Sequence, residues 1–277
     1  MKLQYLGTAA AEGVPALFCD CENCRRSRRL GGRNLRTRSQ ALVDDRILID
    51  FPADTYAHFL RYDVPMSDLH TCLVTHSHSD HLYPADVAMR MDGFAHLHRR
   101  QPLTFYADES SYQMLRREIE ENRIDPADVD AVRIAPFVPF QVEGYTVTPI
   151  RASHDPKSSP VLFVVEKDGK SLFYANDSSE YVPESMECLK AIGHSLDVIS
   201  LDCTEACNET TYVGHLCLSR CAALRKTLLR EGIADSRTVF VLNHFSHNGK
   251  QVVYDDFVEI ARRQDFLVSY DGMTLTF

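Results

Sequence analysis

Short apolar runs separated by turn residues fill the first third of the chain: Leu3–Leu6, Ala41–Val43, Ile47–Ile49 and Cys72–Val74. Runs this short and this rich in aliphatic residues read as strands rather than helices. Between them the spacing predicts a helix over Ala53–Arg61 and another starting near Pro84, because proline suits the first helical position. A strand at Leu103–Tyr106 leads to Asp108 and Ser110, either of which can cap a helix running to about Asn122. The second half repeats the alternation. Tyr145–Ile150, Val161–Glu166 and Ser171–Tyr174 read as strands, the last two joined by the hairpin signal Lys167-Asp168-Gly169. Pro183–Ile192 is helical, Val198–Leu201 a strand, and Leu218–Arg230 an amphipathic helix. A strand at Val239–Leu242, a helix at Val252–Arg263 and strands near Phe266 and Thr274 complete the pattern. Strands first and helices later, in the same order twice, predict two β-rich layers packed face to face with helices outside.

The 277 residues can bury a full core, and the 44% hydrophobic and 25% charged content is that of a globular protein. No repeat or long linker divides the chain, so a single domain over 1–277 is expected. No apolar run approaches the roughly 20 residues that span a bilayer. The N-terminal segment Met1–Gly7 reads as a strand entering a turn rather than a signal peptide, which makes a cytoplasmic location the expectation. A net charge of −9 argues against broad attraction to nucleic acid or anionic lipid. An acidic enzyme can still handle an anionic substrate if metal ions supply local positive charge.

The densest chemistry follows the strand at Cys72–Val74. Thr75-His76-Ser77-His78-Ser79-Asp80-His81 offers three imidazoles and a carboxylate within six positions, with only serines between them. Such N/O donors suit zinc, manganese or iron, and a tight loop after a strand can aim them at one point. This run resembles the H-x-H-x-D-H signature of the metallo-β-lactamase superfamily. The resemblance implies an αββα four-layer sandwich with metals held between the edges of two sheets. It also implies further ligands at later strand ends, and His154, Asp177 and His244 stand in the right order. On that reading His76, His78 and His154 hold one divalent ion, Asp80, His81 and His244 a second, and Asp177 bridges them. Asp50, ending the run Ile47–Ile49, is implied to orient ligands without touching metal.

Two metals about 3.5–4 Å apart can activate a water and neutralise charge on a phosphate or carbonyl oxygen, so the reaction class is hydrolysis. Neither a Gly-x-Ser-x-Gly elbow nor a phosphate loop ending in Gly-Lys-Ser/Thr is present in the sequence.

The N-terminal segment narrows the class. Gly7–Pro15 leads into Cys19-Asp20-Cys21-Glu22-Asn23-Cys24, three of the nine cysteines. The arrangement resembles the phosphoribosyl cyclic phosphodiesterases of the phosphonate-degrading C–P lyase pathway. Those proteins carry a structural zinc on a C-x-C-x-x-C loop and a distant histidine, here matched by His247, so a zinc-binding loop is expected at about 15–40. Three thiolates and an imidazole make a closed tetrahedral site with no position left for substrate. The other six cysteines read as small buried residues or inert thiols.

Seven arginines fall between 25 and 38 (Arg25, Arg26, Arg28, Arg29, Arg33, Arg36 and Arg38), and most of them are expected to form a solvated face, with one or two available to clamp a phosphate. By the same resemblance His215, after Gly214, stands near the leaving group. The expected function is therefore metal-dependent hydrolysis of a small cyclic or nucleotide-like phosphodiester, with His215, Asp80 and Asp50 in the catalytic machinery. A tRNA 3′-processing nuclease, a glyoxalase II-like thioesterase and a non-catalytic metal-dependent binding protein are the alternatives. The resemblance also allows a homodimer.

Overall fold

A computed structural model describes residues 1–156, 158–209 and 213–277. Among these residues the strands are β1 (Lys2–Gly7), β2 (Gln40–Val43), β3 (Ile47–Ile49), β4 (Thr71–Val74), β5 (Leu103–Ala107), β6 (Val129–Arg133), β7 (Phe140–Val142), β8 (Tyr145–Arg151), β9 (Val161–Lys167), β10 (Lys170–Ala175), β11 (Val198–Asp202), β12 (Val239–Asn243), β13 (Leu267–Val268) and β14 (Thr274–Thr276). The helices are α1 (Glu22–Leu30), α2 (Thr55–Tyr62), α3 (Glu109–Glu121), α4 (Pro183–Ala191), α5 (Leu218–Arg230) and α6 (Tyr254–Arg262).

The strands form two seven-stranded sheets, ordered β14-β1-β2-β3-β4-β5-β6 and β13-β12-β11-β10-β9-β8-β7. Side chains alternate across each sheet, and both faces are buried. In β4, Leu73 joins Tyr5, Ile49, Phe163 and Tyr174 in the core between the sheets. Its neighbours Cys72 and Val74 point the other way, toward Leu115 and Ile119 of α3. In β10, Leu172 and Tyr174 face the inner core, while Phe173 and Ala175 pack against α4, α5 and α6 through Leu189, Leu224 and Phe257. Burial on both faces is why these strands read as unbroken apolar runs. The result is the expected αββα sandwich.

Three differences from the sequence reading have physical causes. The segment beginning at Pro84 is a 3₁₀ helix, Pro84–Arg90, rather than an α-helix. The region around 15–40 is not simply a loop, because it contains α1 and a 3₁₀ turn at Gly32–Asn34. The α1 sequence buries only Cys24 and Ser27, so it carries no apolar stripe to announce a helix. The short strands β6 and β7 extend the two sheets at their edges, where alternation is too brief to read.

The parallel neighbours β3, β4 and β5 in one sheet, and β10, β11 and β12 in the other, end on the same side. The histidines and aspartates of interest follow these ends. No helix among the described residues is long and apolar enough to cross a membrane.

Candidate metal centre

Three strand ends break sharply. Asp50 after β3, Asp177 after β10 and His244 after β12 all adopt left-handed backbone conformations, with φ of 68°, 52° and 63°. Non-glycine residues hold this geometry at a cost, and it concentrates where a side chain must be re-aimed.

The structure brings together the residues expected from the sequence. His76, His78 and His154 form one set whose ligand atoms lie within 4.8 Å of one another. In it, His78 Nδ1 lies 2.9 Å from His76 Nε2 and 3.2 Å from His154 Nε2. Asp80, His81 and His244 form a second set. Here His81 Nε2 is 3.2 Å from His244 Nε2 and 3.3 Å from Asp80 Oδ2. Asp177 stands between the sets. Its Oδ2 lies 2.9 Å from His81 Nε2 and 3.0 Å from His244 Nε2, while its Oδ1 lies 3.7 Å from His154 Nε2.

The outward nitrogens of these rings are held by the protein, which decides what faces inward. Asp50, fully buried, accepts hydrogen bonds from Thr75 N–H, Thr75 Oγ1 and His81 Nδ1, the last at 2.7 Å. A carboxylate only accepts, so His81 Nδ1 carries the proton and Nε2 presents a lone pair. His154 Nδ1 donates to the Gly214 carbonyl at 3.1 Å. His244 Nδ1 meets the Thr204 hydroxyl at 2.9 Å, and His76 Nδ1 meets the Thr75 hydroxyl at 3.1 Å. The inward atoms thus crowd nitrogen against nitrogen, and the buried Asp177 Oδ2 is hydrogen-bonded to neither neighbour. Converging lone pairs and an orphaned carboxylate oxygen are what divalent cations would satisfy, so the donor set fits metal.

Charge tells the same story. Asp50, Asp80, Asp177 and Asp202 are all buried, and their ion-pair partners are imidazoles. Burial opposes ionisation of Asp177, but the imidazoles of His244 and His81 beside it outweigh burial and hold its carboxyl well below the usual range. Burial pushes Asp50 up against the pull of His81, and pushes His76 well below an ordinary histidine.

His215 lies at the edge of this cluster, its ring centroid 4.9 Å from that of His154 and 5.6 Å from that of His244. The residue that fixes it, Asp202, escaped the sequence reading. Asp202 Oδ2 accepts from His215 Nδ1 at 2.8 Å, from Thr204 Oγ1 at 3.1 Å and from Asp177 N–H at 3.1 Å. Its Oδ1 accepts from the backbone of Leu216 and Thr204. Burial disfavours a charged His215, yet the Asp202 carboxylate prevails and raises its pKa to about 9. The available signal was position: like Asp50, Asp202 ends an apolar strand, Val198-Ile199-Ser200-Leu201.

Cys19, Cys21, Cys24 and His247 form a separate cluster, again with ligand atoms within 4.8 Å. Cys21 Sγ lies 3.6 Å from His247 Nδ1. Three sulfurs and one imidazole suit zinc and close its coordination sphere.

Six of the seven arginines of 25–38 are engaged elsewhere. Arg36 is buried, donating to Thr8 Oγ1 and the Ser269 carbonyl with its guanidinium 4.2 Å from the Phe245 ring centroid. Arg26 pairs with Asp256, Arg38 with Asp54, and Arg25 and Arg28 with Asp20. Arg33 stacks over Tyr270. The contacts of Arg26, Arg33, Arg36 and Arg38 bind the cysteine segment to the body of the protein.

Fold and site together define a metal-dependent hydrolase of the αββα kind. The family described as the beta-lactamase superfamily domain matches residues 45–240, and the chain belongs to it. Two solved structures are similar in fold. One is described as a new diphosphatase from the PhnP family, at 22% identity and a TM-score of 0.73, covering 100% of this chain and 97% of that one. The other is Zn(2+)-bound PqqB from Methylobacterium extorquens, at 19% identity and a TM-score of 0.71, covering 100% of both chains. Among curated proteins, the octanoyltransferase of Porphyromonas gingivalis is 28% identical over 200 residues, which is 69% of this chain. The chain spans only 37% of the length of that relative.

Proposed function

We propose that the protein is a phosphodiesterase that works with two divalent metal ions on a small cyclic or nucleotide-like phosphodiester, of the phosphoribosyl cyclic phosphate type. The observation that carries this reading is the position of Asp177, whose Oδ2 faces His81 and His244 while its Oδ1 faces His154. His76, His78 and His154 would hold one ion and Asp80, His81 and His244 the other, with Asp177 shared. Zinc, manganese or iron suits these donors. When bound, such a pair supplies positive charge for phosphate oxygens and lowers the pKa of water.

The chain's own residues do the rest. Asp50 fixes the tautomer of His81, and Thr204 and the Gly214 carbonyl do the same for His244 and His154. Asp177 and Asp80 would supply negative charge to offset that of two cations. Asp202 orients His215 by accepting from its Nδ1, which places the imidazole at the edge of the cluster for the proton the departing alkoxide needs. Cys19, Cys21, Cys24 and His247 would hold a structural zinc apart from substrate.

The cysteine cluster and the similarity to a diphosphatase of the PhnP family support a phosphate ester over a thioester or a β-lactam. Octanoyl transfer is not carried over, because the match covers only 37% of that relative. The test is a substrate panel on metal-loaded protein: a bis-nitrophenyl phosphodiester, cyclic ribose phosphates, a pre-tRNA, a thioester and a β-lactam. Turnover of the phosphodiesters well above the other substrates is expected. Preference for the thioester or the pre-tRNA, or no turnover at all, would overturn the reading.

A further inference from the structure

The thiolate cluster and the histidine–aspartate centre share one short piece of backbone. His247 lies three residues beyond His244, and the stretch between them is clamped from both sides. Phe245 N–H donates to the Thr8 carbonyl at 2.9 Å, Ala10 N–H to the Phe245 carbonyl at 3.0 Å, and Ser246 N–H to the Thr204 carbonyl at 3.1 Å. The hydroxyl of that same Thr204 meets both His244 Nδ1 and His215 Nδ1. From the other direction Asn23, inside the Cys21–Cys24 turn, donates to the carbonyls of His247 and Gly249, each at 2.9 Å. Hydrogen bonds therefore join the cysteine turn to the segment that carries His244 and contacts Thr204.

The same turn is built for thiol chemistry. Cys21 is the N-cap residue of the nine-residue helix α1 and Cys24 lies in its first turn, so a C-x-x-C unit spans the helix start. Cys21 is partly exposed and Cys24 is fully buried. The outer sulfur can meet an oxidant while the inner one stands within 4.8 Å to resolve it.

We propose that Cys21 and Cys24 are a peroxide-sensitive dithiol whose oxidation releases His247 and disables the histidine–aspartate centre through residues 244–247. The proposal rests on the reading of both clusters as metal sites. The Cys21 thiolate attacks one oxygen of hydrogen peroxide, the O–O bond breaks, and a sulfenic acid and a hydroxide result. The Cys24 thiolate then attacks the Cys21 sulfur, forming the S–S bond and expelling a second hydroxide. The two thiolates lose two electrons, the peroxide gains them, and two solvent protons convert the hydroxides to water. Only Cys19 and His247 then remain as donors, too few for a four-coordinate thiolate site.

The experiment treats zinc-loaded protein with a few equivalents of hydrogen peroxide and follows four signals. The peptide carrying Cys21 and Cys24 should lose two hydrogens in mass. More than one zinc per chain should become available to a chromogenic chelator, one from the cysteine cluster and the remainder from the histidine–aspartate centre, and the melting temperature should fall. Turnover of a nitrophenyl phosphodiester should drop about 10- to 100-fold, the usual effect of losing support around metal ligands. Dithiothreitol with added zinc should restore all four. Cys207→Ser, which removes a partly exposed thiol outside the cluster, should respond as the parent does. A disulfide elsewhere would overturn the proposal. So would a Cys21–Cys24 disulfide with zinc loss that leaves the metal content of the histidine–aspartate centre unchanged. Absence of phosphodiesterase activity before oxidation would count against the proposed function alone, since mass, zinc release and metal content still decide this proposal.

Discussion

His215 and Asp202 offer the sharpest test of the proposed chemistry, because the structure separates their roles. Hydrolysis of an alkyl phosphodiester expels a poor leaving group unless a proton arrives as the bond breaks. Removing the donor with His215→Ala should lower turnover about 10²- to 10⁴-fold, the range for lost general acid catalysis, or about 3–5.5 kcal/mol of barrier. On this reading Asp202 is a positioning residue that acts through its 2.8 Å contact to His215 Nδ1. A hydrogen bond to a charged group is worth about 1.5–3 kcal/mol, so Asp202→Asn should cost about 10- to 10²-fold. Asparagine rather than alanine is the right change, because Asp202 also receives the backbone N–H groups of Asp177, Thr204 and Leu216. If Asp202 acts through His215, the double variant should be close to His215→Ala alone rather than the product of the two losses. The assay compares an alkyl with a nitrophenyl leaving group and counts metal in every variant. Nitrophenolate needs little protonation, so the loss from His215→Ala should shrink there. Equal losses on both substrates, or losses that multiply, would refute proton donation positioned by Asp202. Loss of metal from His215→Ala would make it a ligand, a role its place beside Asp177, Asp202 and His244 geometrically permits.

Three further outcomes are expected. Elemental analysis of protein purified without chelator should find three metal ions per chain, two exchangeable and one zinc that is tightly held; a value at or below one after incubation with zinc and manganese would rule out the two-cluster reading. Asp177→Asn keeps the side-chain shape but removes the shared anion, so phosphodiester turnover should be abolished and occupancy of the two exchangeable ions should fall; a variant that stays active and fully loaded would show the bridge has been misplaced. His58 is buried between Thr37 and Gln40, and burial lowers its pKa from 6.5 to about 4. The folded state therefore holds it neutral while the unfolded chain takes up a proton below 6.5, so its contribution is complete above that pH and lost as pH falls toward 4. The difference amounts to about 3 kcal/mol, and His58→Gln should flatten denaturant-midpoint against pH across that window; an unchanged slope would remove His58 from the account.

Much of this protein can be read along the chain because some of its chemistry is local. The run Thr75–His81 puts four donors on one loop, and their convergence needs only a strand end and small residues between them. The strands buried on both faces announce themselves as apolar runs, and α5 falls at Leu218–Arg230 as its periodicity predicts. Resemblance then orders His154, Asp177, His244 and His247 behind that loop, and the sheets bring each of them to its cluster. What the chain cannot show is which residues meet after distant strands are laid side by side. Asp202 positions His215 only because β11 is paired between β10 and β12, so that its end lies against Asp177, Thr204 and the turn before α5. The arginines of 25–38 look like a basic face in sequence, yet tertiary contacts bury Arg36 on Phe245 and spend Arg26 and Arg38 on Asp256 and Asp54. The helix α1 is likewise invisible to periodicity, since it buries two small residues rather than an apolar stripe. Sequence specifies which groups are neighbours along the backbone, whereas the order of strands in the two sheets decides which groups become neighbours in space.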